Sequence, residues 1–191
     1  MKKQAVMILA HHNPESLESV INKLNSDYSN FYIHIDNKSC EMMGSATIQK
    51  LRHRKNVYFV ESIKTNWGGY SLVKAELILL RKAFEDKENS YFHLISGDDF
   101  PLKSIDEMKE RFDKEYHDYI LWDENDNRRY LIDSYYFYDL YGGKSKLGLY
   151  NDYIKKPILV FLQKMSHFLV RKMHINIRRR IPGKYYHAFG A

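Results

Sequence analysis

The residues able to do chemistry gather in three polar clusters, each directly after an apolar run. His11-His12-Asn13 follows the run 6–10, Asp36-Asn37-Lys38 follows 31–35, and Ser96-Gly97-Asp98-Asp99 follows 91–95. A carboxylate at the end of a strand can accept two hydrogen bonds from a uracil or a ribose, which makes Asp36 a nucleoside-binding candidate; the same residue in a turn would cap its own backbone. Asp98 and Asp99 could hold a metal bridging a diphosphate or accept from sugar hydroxyls, and their bland reading is a turn before Pro101. His11 and His12 lack a matched set of further His or Cys, so no metal site is expected from them. Trp67-Gly68-Gly69 combines a stacking face with residues that let backbone come close. The dinucleotide-binding G-x-G-x-x-G, the phosphate loop G-x-x-x-x-G-K and the nucleophile elbow G-x-S-x-G are all absent, which disfavours a dehydrogenase, an NTPase and a serine hydrolase.

The elements that must position these clusters alternate along the first hundred residues. Apolar runs at 6–10, 31–35, 57–60 and 91–95 have the near-continuous character of strands buried on both faces. Between them lie helical patterns. Leu17, Val20, Ile21 and Leu24 fall on one stripe of 15–24; a weaker helix covers 46–53; Leu72, Ala75, Leu79 and Ala83 mark 72–85, with Ser71 as its cap; Ser104 caps 105–114. This alternation predicts an α/β fold with an open, mostly parallel sheet and helices on both faces. In such sheets ligands bind beyond the carboxyl ends of the strands, where all three clusters fall. An edge strand at 119–122 and an aromatic, irregular 133–140 come next. A helix over 157–173 carries Ile158, Phe161, Leu162, Met165, Leu169 and Met173 on one face, suited to covering the core or to docking on a membrane surface. The organisation expected is a binding domain over 1–152 and a basic helical extension over 153–191.

At 191 residues the chain can bury one real core. The aromatic share is 15%, with 16 Tyr, a composition suited to sugars or bases because a phenol offers an apolar face and a polar tip. Cys40 is the sole cysteine, which excludes an internal disulfide and fits a reducing compartment such as a bacterial cytoplasm. The net charge of +6 is unevenly placed: no acid follows Asp152, while nine Lys and Arg do. Such a block seeks an anionic neighbour, such as a membrane surface or an acidic part of the same chain. Its aromatics do not interleave with the basic run, so nucleic acid is not an expected partner. Arg128-Arg129 and Arg178-Arg179-Arg180 read as a solvated basic face.

Four blocks, in order, carry a resemblance: Ile8-Leu9-Ala10-His11-His12-Asn13-Pro14, Ile33-His34-Ile35-Asp36-Asn37-Lys38-Ser39, Trp67-Gly68-Gly69-Tyr70-Ser71-Leu72-Val73-Lys74-Ala75-Glu76, and Tyr91 to Ser104 with its Ser96-Gly97-Asp98-Asp99-Phe100-Pro101 centre. Together they resemble the core-2/I-branching β-1,6-N-acetylglucosaminyltransferases of glycosyltransferase family 14, which include the peptide O-xylosyltransferases, in their bacterial branch. The resemblance implies a GT-A-like fold and inverting transfer of N-acetylglucosamine or xylose from a UDP-sugar to a hydroxyl of a glycan acceptor. It implies that His11, Asn13 and Asp36 line the uridine site, and that Trp67, Gly68, Ser96, Asp98 and Asp99 shape the donor-sugar side. It also implies no metal and no other cofactor, since basic side chains neutralise the departing diphosphate in this family. Tyr185 to Ala191 resembles the start of a later family strand, so the chain is expected to be C-terminally truncated, with the general base beyond residue 191.

The alternatives are a catalytically inactive nucleotide-sugar-binding fragment or module, and a peripheral membrane-binding protein using 153–184. The expected location is the cytoplasm, with the inner membrane surface as a peripheral contact.

Overall fold

The computed structural model describes residues 2–114, 122–123, 135–141, 157–173 and 187–188. They belong to two compact units, one of residues 1–65 with 70–116, the other of 66–69 with 117–191.

The first unit is built on four parallel strands, β1 (Lys3–Ala10), β2 (Ser29–Ile35), β3 (Val57–Phe59) and β4 (Asn89–Ser96), in the order β3-β2-β1-β4. Alternation along β1 divides the core. Val6, Ile8 and Ala10 face a cluster with Phe31, Ile33 and Ile35 of β2, Leu17, Val20, Ile21 and Leu24 of α1 (Pro14–Leu24), and Ile48 and Leu51 of α3 (Ala46–Arg52). Met42 of α2 (Cys40–Gly44) and Ile105 of α5 (Ile105–Lys114) close that layer. On the opposite face Ala5 and Met7 meet Tyr32 and, from α4 (Tyr70–Glu85), Leu79 and Ala83. The sheet is therefore covered on both sides, which is why its central strands read as unbroken apolar runs.

The chain runs outward from β1 to β2 and β3, then returns to place β4 on the other edge of β1. The reversal lies between β1 and β4. In sheets of this kind the crevice above such a switch point is where ligands bind, because the two loops leaving it diverge.

Boundaries differ from expectation for local reasons. The ladder recruits polar ends that an apolar count omits: β1 starts at Lys3, whose N–H donates to the Glu88 carbonyl at 2.8 Å. Pro14 opens α1, where a missing N–H costs nothing. The long helix begins at Tyr70, so Ser71 sits inside its first turn and is not the cap. The five-residue α2 was not expected, being too short to show a period. Ser104 does cap α5: its hydroxyl accepts from the Glu107 N–H at 3.2 Å while Glu107 Oε2 accepts from the Ser104 N–H at 2.8 Å, a reciprocal capping box.

In the second unit, β5 (Trp122–Asp123) pairs antiparallel with β6 (His187–Ala188), and two helices are described, α6 (Tyr138–Tyr141) and α7 (Pro157–Met173). Residues 119–121 of the expected edge strand, and both arginine clusters, lie outside the described residues. The inward stripe of α7 is not the one its apolar residues suggest. Val160, Gln163, Ser166 and Val170 are buried, while Ile158, Phe161, Met165 and Phe168 are exposed. Hydrogen bonding explains the choice: Ser166 Oγ and Gln163 Oε1 accept from the backbone N–H groups of Tyr135 and Phe137 at 2.8 and 3.4 Å. A polar face is buried because it satisfies a neighbouring segment that lacks its own ladder.

Leu17 is fully buried under the sheet. Leu17→Ala is expected to cost about 2–5 kcal/mol in chemical denaturation, against less than about 0.5 kcal/mol for a control such as Glu41→Ala on the exposed surface.

Candidate functional site

The rim above the switch point is assembled by backbone before any side chain is considered. The Ala10 carbonyl accepts from the Asp36 N–H at 2.9 Å, and the Leu9 carbonyl from the Gly97 N–H at 2.8 Å, so the loops after β2 and β4 are tied to the end of β1. The Ser39 hydroxyl adds a bond to the His11 carbonyl at 2.5 Å, and the Ser16 hydroxyl one to the Gly97 carbonyl at 3.3 Å. A Cβ on Gly97 would stand 3.3 Å from Ala10 Cα, a contact with backbone that has little room to yield; glycine lets the β4 turn lie directly on β1.

Three of the expected binding residues spend their polar atoms on holding these loops. Asn13 adopts the left-handed conformation (φ 55°), and its Oδ1 accepts from the Ser16 N–H at 3.0 Å as the N-cap of α1. Asp99 Oδ2 accepts from the Ser96 N–H at 2.7 Å, closing the Ser96–Asp99 turn, in which Ser96 Oγ accepts from the Asp98 N–H at 3.3 Å. Asp36, only 6% exposed, accepts from the Thr65 hydroxyl at 2.6 Å and the Lys38 N–H at 2.9 Å. Burial pushes the Asp36 carboxyl up, but the Thr65 hydroxyl, the Lys38 N–H and the Lys38 ammonium outweigh it and hold the group below its ordinary range. Asp36 is thus a latch between β2 and the chain around Thr65. His34 is a second latch: its Nε2 accepts from the Ile63 N–H at 3.1 Å, and burial lowers its pKa, keeping the ring neutral.

The groups left facing outward are His11, His12 and Asp98. The two imidazoles stack, with centroids 4.1 Å apart and planes 14° off parallel, and His12 Nδ1 lies 3.2 Å from Asp98 Oδ1. All three are exposed. Adjacent residues in a strand would point to opposite faces. Here β1 ends at Ala10 and the chain is already turning toward Asn13, so both rings reach the same side. His12 was missed as a partner of Asp98 because 86 residues of sequence separate them and only the β1–β4 pairing joins them. Thr65 and Ser39 were missed because they too meet their partners, Asp36 and His11, across 29 and 28 residues of sequence.

Trp67 and Gly68 belong to the other unit and are described within it. Gly68 has φ 75°, a conformation costly for any residue with a Cβ, and Trp67 is exposed. The loop is clasped by a residue that pattern did not single out: Asn66 Nδ2 donates to Asp139 Oδ1 of α6 at 3.1 Å, and the Asp139 carboxylate fills the space a Cβ on Gly69 would need.

A hollow of about 610 Å³ opens at the other end of the sheet, between Lys3, Tyr28, Lys55, Asn56 and Asp106. It lies at the amino ends of the strands, away from the switch point, and is not the candidate site.

With this geometry in hand, the family comparison is decisive: the model of the core-2/I-branching enzymes matches residues 5–138, more than half of the chain. The chain belongs to the core-2/I-branching enzyme family. The family is one of glycosyltransferases, working on a nucleotide-sugar donor and a glycan acceptor. The match takes in most of β1, all of β2 to β5 and the first residue of α6, and with them every residue expected to bind the donor. No curated protein matches the chain.

The His34 latch gives this core-2/I-branching member a pH signature. A buried histidine with a lowered folded pKa binds fewer protons than its unfolded form, so stability falls as pH drops below the unfolded value. Burial lowers His93 in the same direction. The melting temperature is expected to fall between about pH 7.5 and about pH 5.5. His34→Gln, which can accept the Ile63 N–H but cannot be protonated, should lose less over that range in calorimetric scans; an equal loss would remove His34 from the account.

Proposed function

We propose that this core-2/I-branching member binds a UDP-sugar at the β1–β4 switch point and serves inverting transfer of the sugar, N-acetylglucosamine or xylose, to a hydroxyl of a glycan. The observation that carries the reading is the meeting of His12 and Asp98, from strands 86 residues apart, above that switch point in a chain of this family. Asp98 supplies an acceptor for sugar hydroxyls, and His11 and His12 a stacked pair of flat rings with nitrogen donors for nucleotide or diphosphate. Asn13, Asp36, Ser96 and Asp99 act through the loops they hold, with Asp36 and Asn13 on the uridine side. Trp67 and Gly68 are proposed as donor-sugar residues on the strength of the family alone. Donor binding on this reading requires no metal.

Calorimetric titration with UDP in chelator-containing buffer tests it. The 191-residue chain is expected to bind, and Asp98→Asn to bind at least about tenfold more weakly, near 1.4 kcal/mol. A folded chain that takes up no UDP, or an Asp98→Asn variant binding as the wild type does, contradicts the proposal.

A second, compatible reading concerns α7. Its exposed face presents Ile158, Phe161 and Phe168, in a segment with nine basic residues and no acid after Asp152. Among the described residues no helix is long and apolar enough to cross a membrane. We infer that α7 lies on an anionic membrane surface, apolar face inward, with Lys and Arg at the headgroups. In vesicle flotation the chain should rise with vesicles containing phosphatidylserine and not with purely zwitterionic ones, and Phe161→Glu with Phe168→Glu should abolish the difference. Flotation unchanged by the double substitution would contradict it.

A further inference from the structure

We propose that the hollow at the amino ends of the strands is a second binding site, one for a neutral oligosaccharide. This hollow, of about 610 Å³, adjoins a smaller one of about 350 Å³, and Tyr28 and Asp106 line both, so the two make one groove. Each has the size of a small-ligand site. The wall of the groove is fixed before any ligand arrives. Between α1 and β2 the Ser26 N–H donates to Ser29 Oγ at 2.9 Å, and the Tyr28 N–H to Ser26 Oγ at 3.0 Å. Asn56 Nδ2 donates to Asn25 Oδ1 at 3.0 Å and to the Ser29 carbonyl at 3.1 Å, and the Tyr28 carbonyl accepts from the Gln4 N–H at 2.7 Å. A wall held in this way loses little order on binding.

The lining selects hydroxyl groups. Lys3 and Lys55 share the larger hollow with Asp27 and Asp106, so an anion and a cation each meet a like charge there. Tyr28 is the only aromatic or apolar side chain on its wall, which leaves an apolar ligand without a surface to bury against. A sugar hydroxyl both donates and accepts, so one ligand can pair with carboxylate, ammonium and amide at once, and a phenol adds a flat ring. An ordinary helix-to-strand turn accounts for the bonds between Ser26 and Ser29. It gives no reason for Asp27, Lys55 and Asp106 to line one hollow while none of them takes part in a hydrogen bond or ion pair among the described residues. Their hydrogen-bonding capacity is left to a third group. The eight residues of β1 separate this groove from the switch point by roughly 26 Å, so the reacting hydroxyl is not held here. For a glycosyltransferase with a glycan acceptor, the groove holds a stretch of the glycan away from its reacting end. That role rests on the glycosyltransferase reading; oligosaccharide binding itself does not.

The full chain, labelled with ¹⁵N, should be titrated with chitotriose and with xylotriose, and with inorganic phosphate as the ionic comparison, while amide shifts are followed by NMR. At least one of the trisaccharides is expected to shift the amides of 25–30, 55–56 and 105–107, and phosphate to leave them in place. Asp27→Ala combined with Asp106→Ala should weaken that binding at least about tenfold, and the exposed control Glu41→Ala should not. Both substituted carboxylates are exposed, and circular dichroism checks that the variant folds. No shift with either trisaccharide, wild-type affinity in the double variant, or equal shifts with phosphate overturns the proposal. Shifts confined to 10–14 and 96–100 overturn it as well, since the sugar then binds at the switch point alone. UDP binding measured on the same protein separates the two claims. UDP bound without these trisaccharide shifts removes only the second site; trisaccharide bound at 25–30 without UDP binding removes only the donor reading.

Discussion

The hydrogen-bonded ladders on both edges of β1 hold every other feature of the site in place. β1 is paired in parallel along its length with β2 on one side and β4 on the other. Parallel pairing sends all three chains out of the sheet at the same end, and the last backbone bonds, from Asp36 and Gly97 to the carbonyls of Ala10 and Leu9, run past the strands into the loops. The rim inherits the rigidity of the sheet. Burial of the ladder between α1 and α3 on one face and α4 on the other keeps water from competing for those bonds.

On this frame the polar residues divide by task. Asn13, His34, Asp36 and Asp99 are engaged with backbone or with Thr65, and the Asp36 and His34 pKa directions follow from that engagement and from burial. His11, His12 and Asp98 face solvent. A site whose inner residues are fixed by hydrogen bonds and whose outer residues are offered to a ligand loses little order on binding, which is how preorganised sites keep their affinity. The loop 66–69 follows the same logic in its own unit, with Asp139 holding Asn66 and filling the space beside Gly69 so that Trp67 can stand exposed.

The α/β class, the four strands and the flanking helices were legible in the sequence because a doubly covered parallel sheet leaves unbroken apolar runs and the helices leave stripes. The clusters at the carboxyl ends were legible because ligand-facing polar residues interrupt those runs abruptly. Which member of each cluster serves structure and which serves a ligand was not, since that division depends on pairing across 29 residues for Asp36 with Thr65 and 86 for His12 with Asp98. Which face of α7 turns inward was not legible for a related reason: period alone does not separate a core-covering apolar face from an exposed one, and Ser166 and Gln163 are buried because distant backbone N–H groups need them.

Hydrogen exchange of the 191-residue chain, followed by mass spectrometry with and without UDP, tests the placement of the site most directly. A ligand at the β1–β4 switch point slows exchange in peptides covering 10–14, 36–40 and 96–100, the loops tied to the end of β1. Protection confined to 25–30 and 55–56, which line the hollow at the opposite end of the sheet, would contradict the assignment of the site.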